Sequence, residues 1–341
     1  MKWWLTAPPA VDALACEAAM ARQRSLAKPP GSLGRLEHAV VALAGQQRRL
    51  TPSVDTVAIT VFAADHGVAR RGVSAYPQEI TQAMLRLFAT GGAAINVLAN
   101  RLGASLEVVD VGTCGAPVPG ARSARIAPGT ADMVEGPAMS VQQTLEALAV
   151  GHDSLARTAP GTQLFIAGEM GIGNTTAAAA LACALTGAGA GEMTGPGTGL
   201  MPEALQRKQN VVAAALRRHE LALDDPLALL AALGGLEIAA MTGAYLRAAQ
   251  LGLPCLVDGY IASVAALLAV RLQPAVRPWL HFAHRSAEPG HHRVLRALDA
   301  VPLLELDMRL GEGSGAAVAV PLLQAACALH AQMATIEQLG I

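Results

Sequence analysis

The chain has 341 residues, a formal net charge of −1, 52% hydrophobic residues and only 3% aromatic ones. That length suits one large α/β domain with a smaller appendage, and so few aromatics imply an aliphatic, alanine-rich core in which helices approach a sheet closely. Balanced charge without a basic stripe argues against a nucleic-acid partner. The uncharged run 170–191 is mostly Ala, Gly and Thr with Asn174, too weakly apolar for a membrane span.

The five cysteines are far apart and no pair has metal-ligand or redox spacing, so buried free thiols of a reducing cytosol are expected. Lys2-Trp3-Trp4 is not followed by the apolar core of a signal peptide, and a cytoplasmic location is expected.

In chain order, residues 1–52 read as helical. Residues 11–26 and 35–50 each carry an apolar face at helical spacing. Between them Lys28-Pro-Pro-Gly-Ser-Leu-Gly-Arg35 is a proline-stiffened loop with two cations, either a connector or a cover for an anionic ligand. Residues 57–64 (VAITVFAA) form the first strand, apolar on both faces. It ends in Asp65-His66-Gly67, and a loop with Ser74 leads to a helix from about Pro77 bearing Gln82 and Met84.

Further strands are expected at 106–111, 163–167, 254–257 and 279–283, with a sixth opening the stretch 303–315 (LLELDMRLGEGSG). The third strand is expected to stop before Gly168-Glu169-Met170-Gly171-Ile172-Gly173-Asn174-Thr175-Thr176. The segment 113–140 reads as the longest irregular connection. Gly195-Pro196-Gly197-Thr198-Gly199 is a second glycine loop before a basic helix with Arg207 and Lys208. Asp224-Asp225-Pro226 caps a helix that contains Leu233-Gly234-Gly235-Leu236-Glu237.

Strands alternating with helices imply right-handed crossovers and a parallel α/β sheet, with ligands outside the carboxyl ends of the strands. Those ends collect the Asp, His, Glu and Gly that have no place in an apolar core, which points to an enzyme. The two glycine loops before helices suit a monophosphate, with hydroxyls from Thr175, Thr176 and Thr198 and charge from Lys208 or Arg207. Neither is a Walker loop or a dinucleotide fingerprint. Asp65, His66, His284, His291 and His292 lack the spacing of metal ligands, so no metal is assigned; His66 reads as locally hydrogen-bonded and His291 and His292 as solvated. Glu169 and Glu312 sit among small residues at strand tips, either as bases with raised pKa or as caps for loop N–H groups.

KPPGSLGRLE, ADHGV, GVSAYPQEIT, GEMGIGNTT, GPGTG, ALGGLEIAAMTG, DGYI, HRSAEPGH and LGEGSGAA occur in this order. Together they resemble the nicotinate-nucleotide:dimethylbenzimidazole phosphoribosyltransferase family over nearly the whole chain. The resemblance implies transfer of the phosphoribosyl group of nicotinate mononucleotide to 5,6-dimethylbenzimidazole with anomeric inversion, in building the cobalamin nucleotide loop, and no cofactor. By motif match, Glu312 is the base and Glu169 a second active-site carboxylate. The 5′-phosphate is expected near Gly171, Gly173, Asn174, Thr175, Thr176, Gly197, Thr198 and Gly199, with Lys208 adding charge. Ser74, Gln82 and Met84 match the base-pocket segment, and Gly311 and Gly313 flank the base. The family also implies a homodimer and a Rossmann-like sheet of about six strands. Residues 53–321 would form that large domain, and 1–52 with 322–341 a small helical one. The rival readings are a non-catalytic nucleotide-binding or sensor protein, and a phosphohydrolase using Asp65 and His66 with a metal.

Overall fold

The computed structural model describes residues 2–158, 160–219 and 225–340. Its strands are β1 (Val57–Ala64), β2 (Ser105–Gly112), β3 (Arg122–Ser123), β4 (Leu164–Met170), β5 (Cys255–Val257), β6 (Leu280–Phe282), β7 (His284–Arg285) and β8 (Leu304–Glu305). The main sheet is wholly parallel in the order β3-β2-β1-β4-β5-β6. Strand order reverses between β1 and β4. Chains leave that point in opposite directions, so a crevice opens at the carboxyl ends of these two strands.

Every residue of β1 is buried, because helices cover both faces. Alternation divides them: Ala58, Phe62 and Ala64 face one cluster, while Val57, Ile59, Val61 and Ala63 face the other. The first face is covered by α5 (Val141–Ser154), α6 (Asn174–Thr186), α9 (Pro226–Leu233), α10 (Leu236–Gln250) and α11 (Tyr260–Leu272). The second is covered by α2 (Arg35–Gln47), α3 (Glu79–Thr90), α4 (Ala94–Leu102) and α13 (Ser314–Gln332). The remaining helices are α1 (Ala13–Ser25), α7 (Ala190–Met193), α8 (Pro202–His219) and α12 (His291–Ala297). Among the described residues α13 is the one helix long and apolar enough to cross a membrane, and more than half of it is buried inside the fold.

Several boundaries differ from the sequence-based expectation. The third expected strand, β4, does not stop at Ala167; it runs through Gly168-Glu169-Met170, pairing with β1 as far as Ala63. The stretch from Leu303 is no buried strand of the main sheet. Only Leu304–Glu305 is extended, half-exposed, and it pairs with β7 in a separate two-stranded sheet. The sixth strand of the main sheet is β3, inside the segment expected to be irregular; Arg122 and Ser123 carry no apolar signal because they lie at an edge. Gly234-Gly235 separates α9 from α10 where one helix was expected. Asp225 caps α9 by accepting from the Leu227 and Ala228 amides, and Asp224 lies outside the described residues. Lys28 and Arg35 are engaged within the chain, by Glu37 at 2.7 Å and by the Pro302 carbonyl. Of the cysteines, Cys183, Cys255 and Cys327 are buried, but Cys114 is exposed.

The alanine-rich composition has a direct packing consequence at α5 and α10. A Cβ at Gly151 would lie 1.7 Å from the Ala240 carbonyl oxygen, and one at Gly243 2.0 Å from that of Leu148. The two helices therefore meet backbone to backbone, and α10 in turn packs on β1 and β4. Gly151→Ala or Gly243→Ala is expected to destabilise the protein by about 1–3 kcal/mol through overpacking. Gly191→Ala, a helical position with nothing within 4 Å of the added carbon, is expected to leave the melting temperature level or raise it. Thermal melting of the three variants checks this.

Candidate active site

The site is built where one chain segment crosses another. Gly311, Glu312 and Gly313 pass over β4, and the Glu312 amide donates to the Glu169 carbonyl at 3.2 Å. A Cβ at Gly168 would lie 2.2 Å from the Glu312 carbonyl oxygen, so only glycine at 168 permits the crossing. All three crossing residues have left-handed backbone, with φ of +88°, +64° and +83°. For Glu312 that conformation costs about 1–2 kcal/mol. Strain held at a buried acidic residue marks a place where function, not folding, sets the residue type.

The Glu312 side chain is buried. Its Oε2 accepts from the Ile95 amide at 3.1 Å, in the first turn of α4, whereas its Oε1 accepts no hydrogen bond among the described residues. Burial pushes its pKa up, the Ile95 N–H pulls it down, and the nearby Asp258 carboxylate pushes it up again. The capping and base readings thus meet in one side chain: one oxygen caps a helix and the other is free.

Glu169 stands in β4 opposite Phe62 of β1. Burial, with the charges of Glu237 and Asp258, pushes its pKa up to about 8; the Asn174 amide, which donates to Oε2, works against this, and Glu312 adds to the rise. At neutral pH its carboxyl is therefore mostly protonated, and able to donate a hydrogen bond.

A cavity of about 290 Å³ opens beside these groups. Of the expected site residues it is lined by Glu169, Gly171, Asn174, Thr175, Gly197, Thr198 and Gly311. Gly173 adopts φ +100° to turn the chain into α6, whose first residues Asn174 and Thr175 line the cavity. Behind the lining, buried Lys208 donates to Thr175 Oγ1 at 2.8 Å and to the Gly195 carbonyl at 3.0 Å. Burial lowers its pKa to about 8, with Glu288 opposing. Thr176 Oγ1 is buried with no partner among the described residues. Gly199 also has left-handed backbone, and Gly313 lies against Gly168 beneath the crossing.

The expected base-pocket residues lie apart from this lining. Ser74 Oγ is 3.2 Å from Thr198 Oγ1, which also accepts from the Ala75 amide at 3.0 Å. Gln82 donates to the Ala116 carbonyl at 2.5 Å and accepts from Thr113 Oγ1 at 3.1 Å. Met84 is half-buried against the second core cluster.

The cavity also holds residues the sequence reading did not assign to it: Asp258, Tyr260, His284, Ser286, Glu288 and Arg309. Most follow the tips of β5 and β6 and fall within the DGYI and HRSAEPGH motifs, which were the signals available for them. Arg309 donates to the Gly197 carbonyl at 2.8 Å and puts a cation on the rim, three residues before Glu312. Asp258 accepts from the Ala316 amide at 2.7 Å, and Glu288 Oε1 from the Gly197 amide at 2.9 Å. Two histidines differ from expectation. His66 is bonded not locally but to Glu237, at 2.7 Å, because the end of β1 abuts the start of α10. His291 is fully buried between Ser263 and the Ser286 amide, not solvated, and burial with the neighbouring His284 lowers its pKa to about 3. Among the described residues no group of three or more His, Cys, Asp or Glu is arranged to hold a metal ion.

A family model described as phosphoribosyltransferase matches residues 8–341. A relative from Azotobacter vinelandii strain DJ, named nicotinate-nucleotide–dimethylbenzimidazole phosphoribosyltransferase, is 58% identical over 99% of this chain and 97% of its own. One of the same name from Pseudomonas fluorescens strain Pf-5 is 56% identical with the same coverage. A crystal structure of the enzyme of that name from Thermus thermophilus superposes with a TM-score of 0.90 at 44% identity, covering 96% of this chain and 98% of that one. With the parallel sheet, the glycine loops and the crossing at Gly168 all in place, the chain belongs to the nicotinate-nucleotide–dimethylbenzimidazole phosphoribosyltransferase family.

Proposed function

We propose that the protein transfers the 5-phosphoribosyl group of nicotinate mononucleotide to 5,6-dimethylbenzimidazole, giving α-ribazole 5′-phosphate and nicotinate, as a step in making the cobalamin nucleotide loop. The observation that carries the reading is the crossing of residues 311–313 over Gly168, which sets two buried carboxyl groups with raised pKa beside one glycine-lined cavity of about 290 Å³. The likeness to the named relatives supports the choice of substrates.

The chemistry asks for one base. An azole nitrogen attacks C1′ from the α face while the β bond to the pyridinium nitrogen breaks, and its electron pair neutralises the ring, so the leaving group needs no proton. The azole N–H proton must go elsewhere, and Glu312 Oε1 is the free acceptor. Protonated Glu169, held by Asn174, would donate to an oxygen of the substrate. The α6 N-terminus, the Gly197–Thr198 backbone and the Lys208 and Arg309 cations would hold the 5′-phosphate. Ser74, Gln82 and Met84 would reach the azole on the outer side. The homodimer belongs to the same proposal; Val301, Leu306 and Leu310, exposed in the segment before the crossing, are apolar side chains for a partner subunit to cover. A small helical domain from both chain ends is proposed too, supported by Arg22 and Gln23 of α1 bonding to His330 of α13.

Chromatography of the products tests the reaction. Glu312→Gln is expected to lower α-ribazole phosphate formation by about 100-fold or more. The base must be ionised, and its pKa lies above that of an ordinary carboxylate, so wild-type kcat/KM should rise through a correspondingly high acid limb, absent in the variant. No product with any azole would refute the assignment. The Lys208 cation is lost as pH rises through about 8, so KM for nicotinate mononucleotide should climb above that pH. Lys208→Gln should bind weakly already below about pH 8 and show a smaller climb, the remainder being loss of the Glu169 proton over the same range.

A further inference from the structure

Two sequence motifs take no part in the reaction described above: Asp65-His66-Gly67 after β1, and Gly234-Gly235-Leu236-Glu237 opening α10. They meet beneath the cavity. His66 Nε2 lies 2.7 Å from Glu237 Oε1, the two side chains being 1% and 0% exposed, and Glu237 Oε2 is buried with no partner among the described residues. Backbone encloses the imidazole. A Cβ at Gly235 would lie 2.3 Å from His66 Cε1, one at Gly171 3.4 Å from its Nε2 and Cδ2, and one at Gly173 3.1 Å from its Cβ. The ring thus stands directly against the turn that lines the cavity at Gly171 and carries Asn174, the partner of Glu169.

We propose that His66 and Glu237 are a positioning pair for the phosphoribosyl site: a buried ion pair that holds the turn 171–174 in its binding shape and couples the start of α10 to Glu169. This rests on the functional reading above. Burial favours a neutral His66, but Glu237 and Asp65 outweigh it and raise its pKa, which favours the charged form of the imidazole in this pair. The acidic groups acting on Glu169 are Glu237 from α10, Asp258 after β5 and Glu312 from the crossing, with Asn174 as its hydrogen-bond donor. Lys208, Arg309 and Glu288 belong to the Gly195–Thr198 side of the cavity. The Glu237 carboxylate favours the protonated form of Glu169, and a positive charge on His66, 2.7 Å from that carboxylate, would offset its influence. Removing one partner or the other should therefore act in opposite directions, which a purely structural prop would not do.

The test is infrared titration of the carboxyl band of Glu169 in the ligand-free protein, identified by its loss in Glu169→Gln. Glu237→Gln is expected to lower the midpoint by about one pH unit, His66→Gln to raise it by a similar amount, and the double variant to lie near wild type. Calorimetry should show nicotinate mononucleotide binding about tenfold weaker in each single variant. If the lone buried carboxylate left by His66→Gln prevents folding, Glu237→Gln and the double variant still decide. A midpoint in Glu237→Gln equal to wild type, or unchanged nucleotide binding there, overturns the proposal. Failure of the functional reading looks different: the wild type then does not bind nicotinate mononucleotide or forms no α-ribazole phosphate, while the infrared arm, which needs neither, still reports on the pair.

Discussion

The crossing of Gly311–Gly313 over Gly168 is the contact on which the site depends. Without a side chain at 168, the Glu312 backbone can rest on β4 and donate to the Glu169 carbonyl. That contact joins the start of α13 to the centre of the sheet, at the point where strand order reverses. It also forces Glu312 into left-handed backbone, so the last helix and its preceding acid are placed by close backbone approach rather than by a large apolar anchor. A core with few aromatics relies on such approaches elsewhere as well, at Gly151 and Gly243 between α5 and α10.

Carboxyl groups crowd this region. Glu169, Glu237, Asp258 and Glu312 are all buried near one another. Four bare anions there would repel strongly in a medium that stabilises charge poorly. Each is managed differently. Glu237 has His66 as counter-ion, Asp258 takes the amides at the start of α13, Glu312 takes the Ile95 amide, and Glu169 holds its proton. The chemistry follows from that division, because Glu169 supplies a donor that lines the cavity and Glu312, next to the lining residue Gly311, supplies an ionisable acceptor.

Much of this is legible in the chain. VAITVFAA can only be a strand covered on both faces, and its position before Asp65-His66 marks a polar tip. GEMGIGNTT and LGEGSGAA announce a pair of glutamates in glycine settings. The range of β4 is hidden because Gly168 and Gly171 look like a loop in sequence, whereas Gly168 is a strand residue stripped of its side chain for the crossing. The two-residue edge strand at Arg122–Ser123 has no hydrophobic period to detect. The stretch from Leu303 reads as buried because it is apolar, yet Leu306 and Leu310 are exposed while Leu303 and Leu304 are half-buried against the second core cluster.

By itself, then, the sequence determined the alternation of buried strands and helices, the glycine loops before α6 and α8, and the identity of the acids at the strand tips. Those are local properties: side-chain period, backbone freedom and capping chemistry act within a few residues. Tertiary structure alone decided which tips meet. That Glu312 lands on Glu169, that Lys208 reaches Thr175 and Gly195, that Arg309 joins the rim and that His66 finds Glu237 depend on sheet order and on helix approach distances. Neither is carried by any short stretch of chain, since both arise from packing segments far apart in sequence against one another.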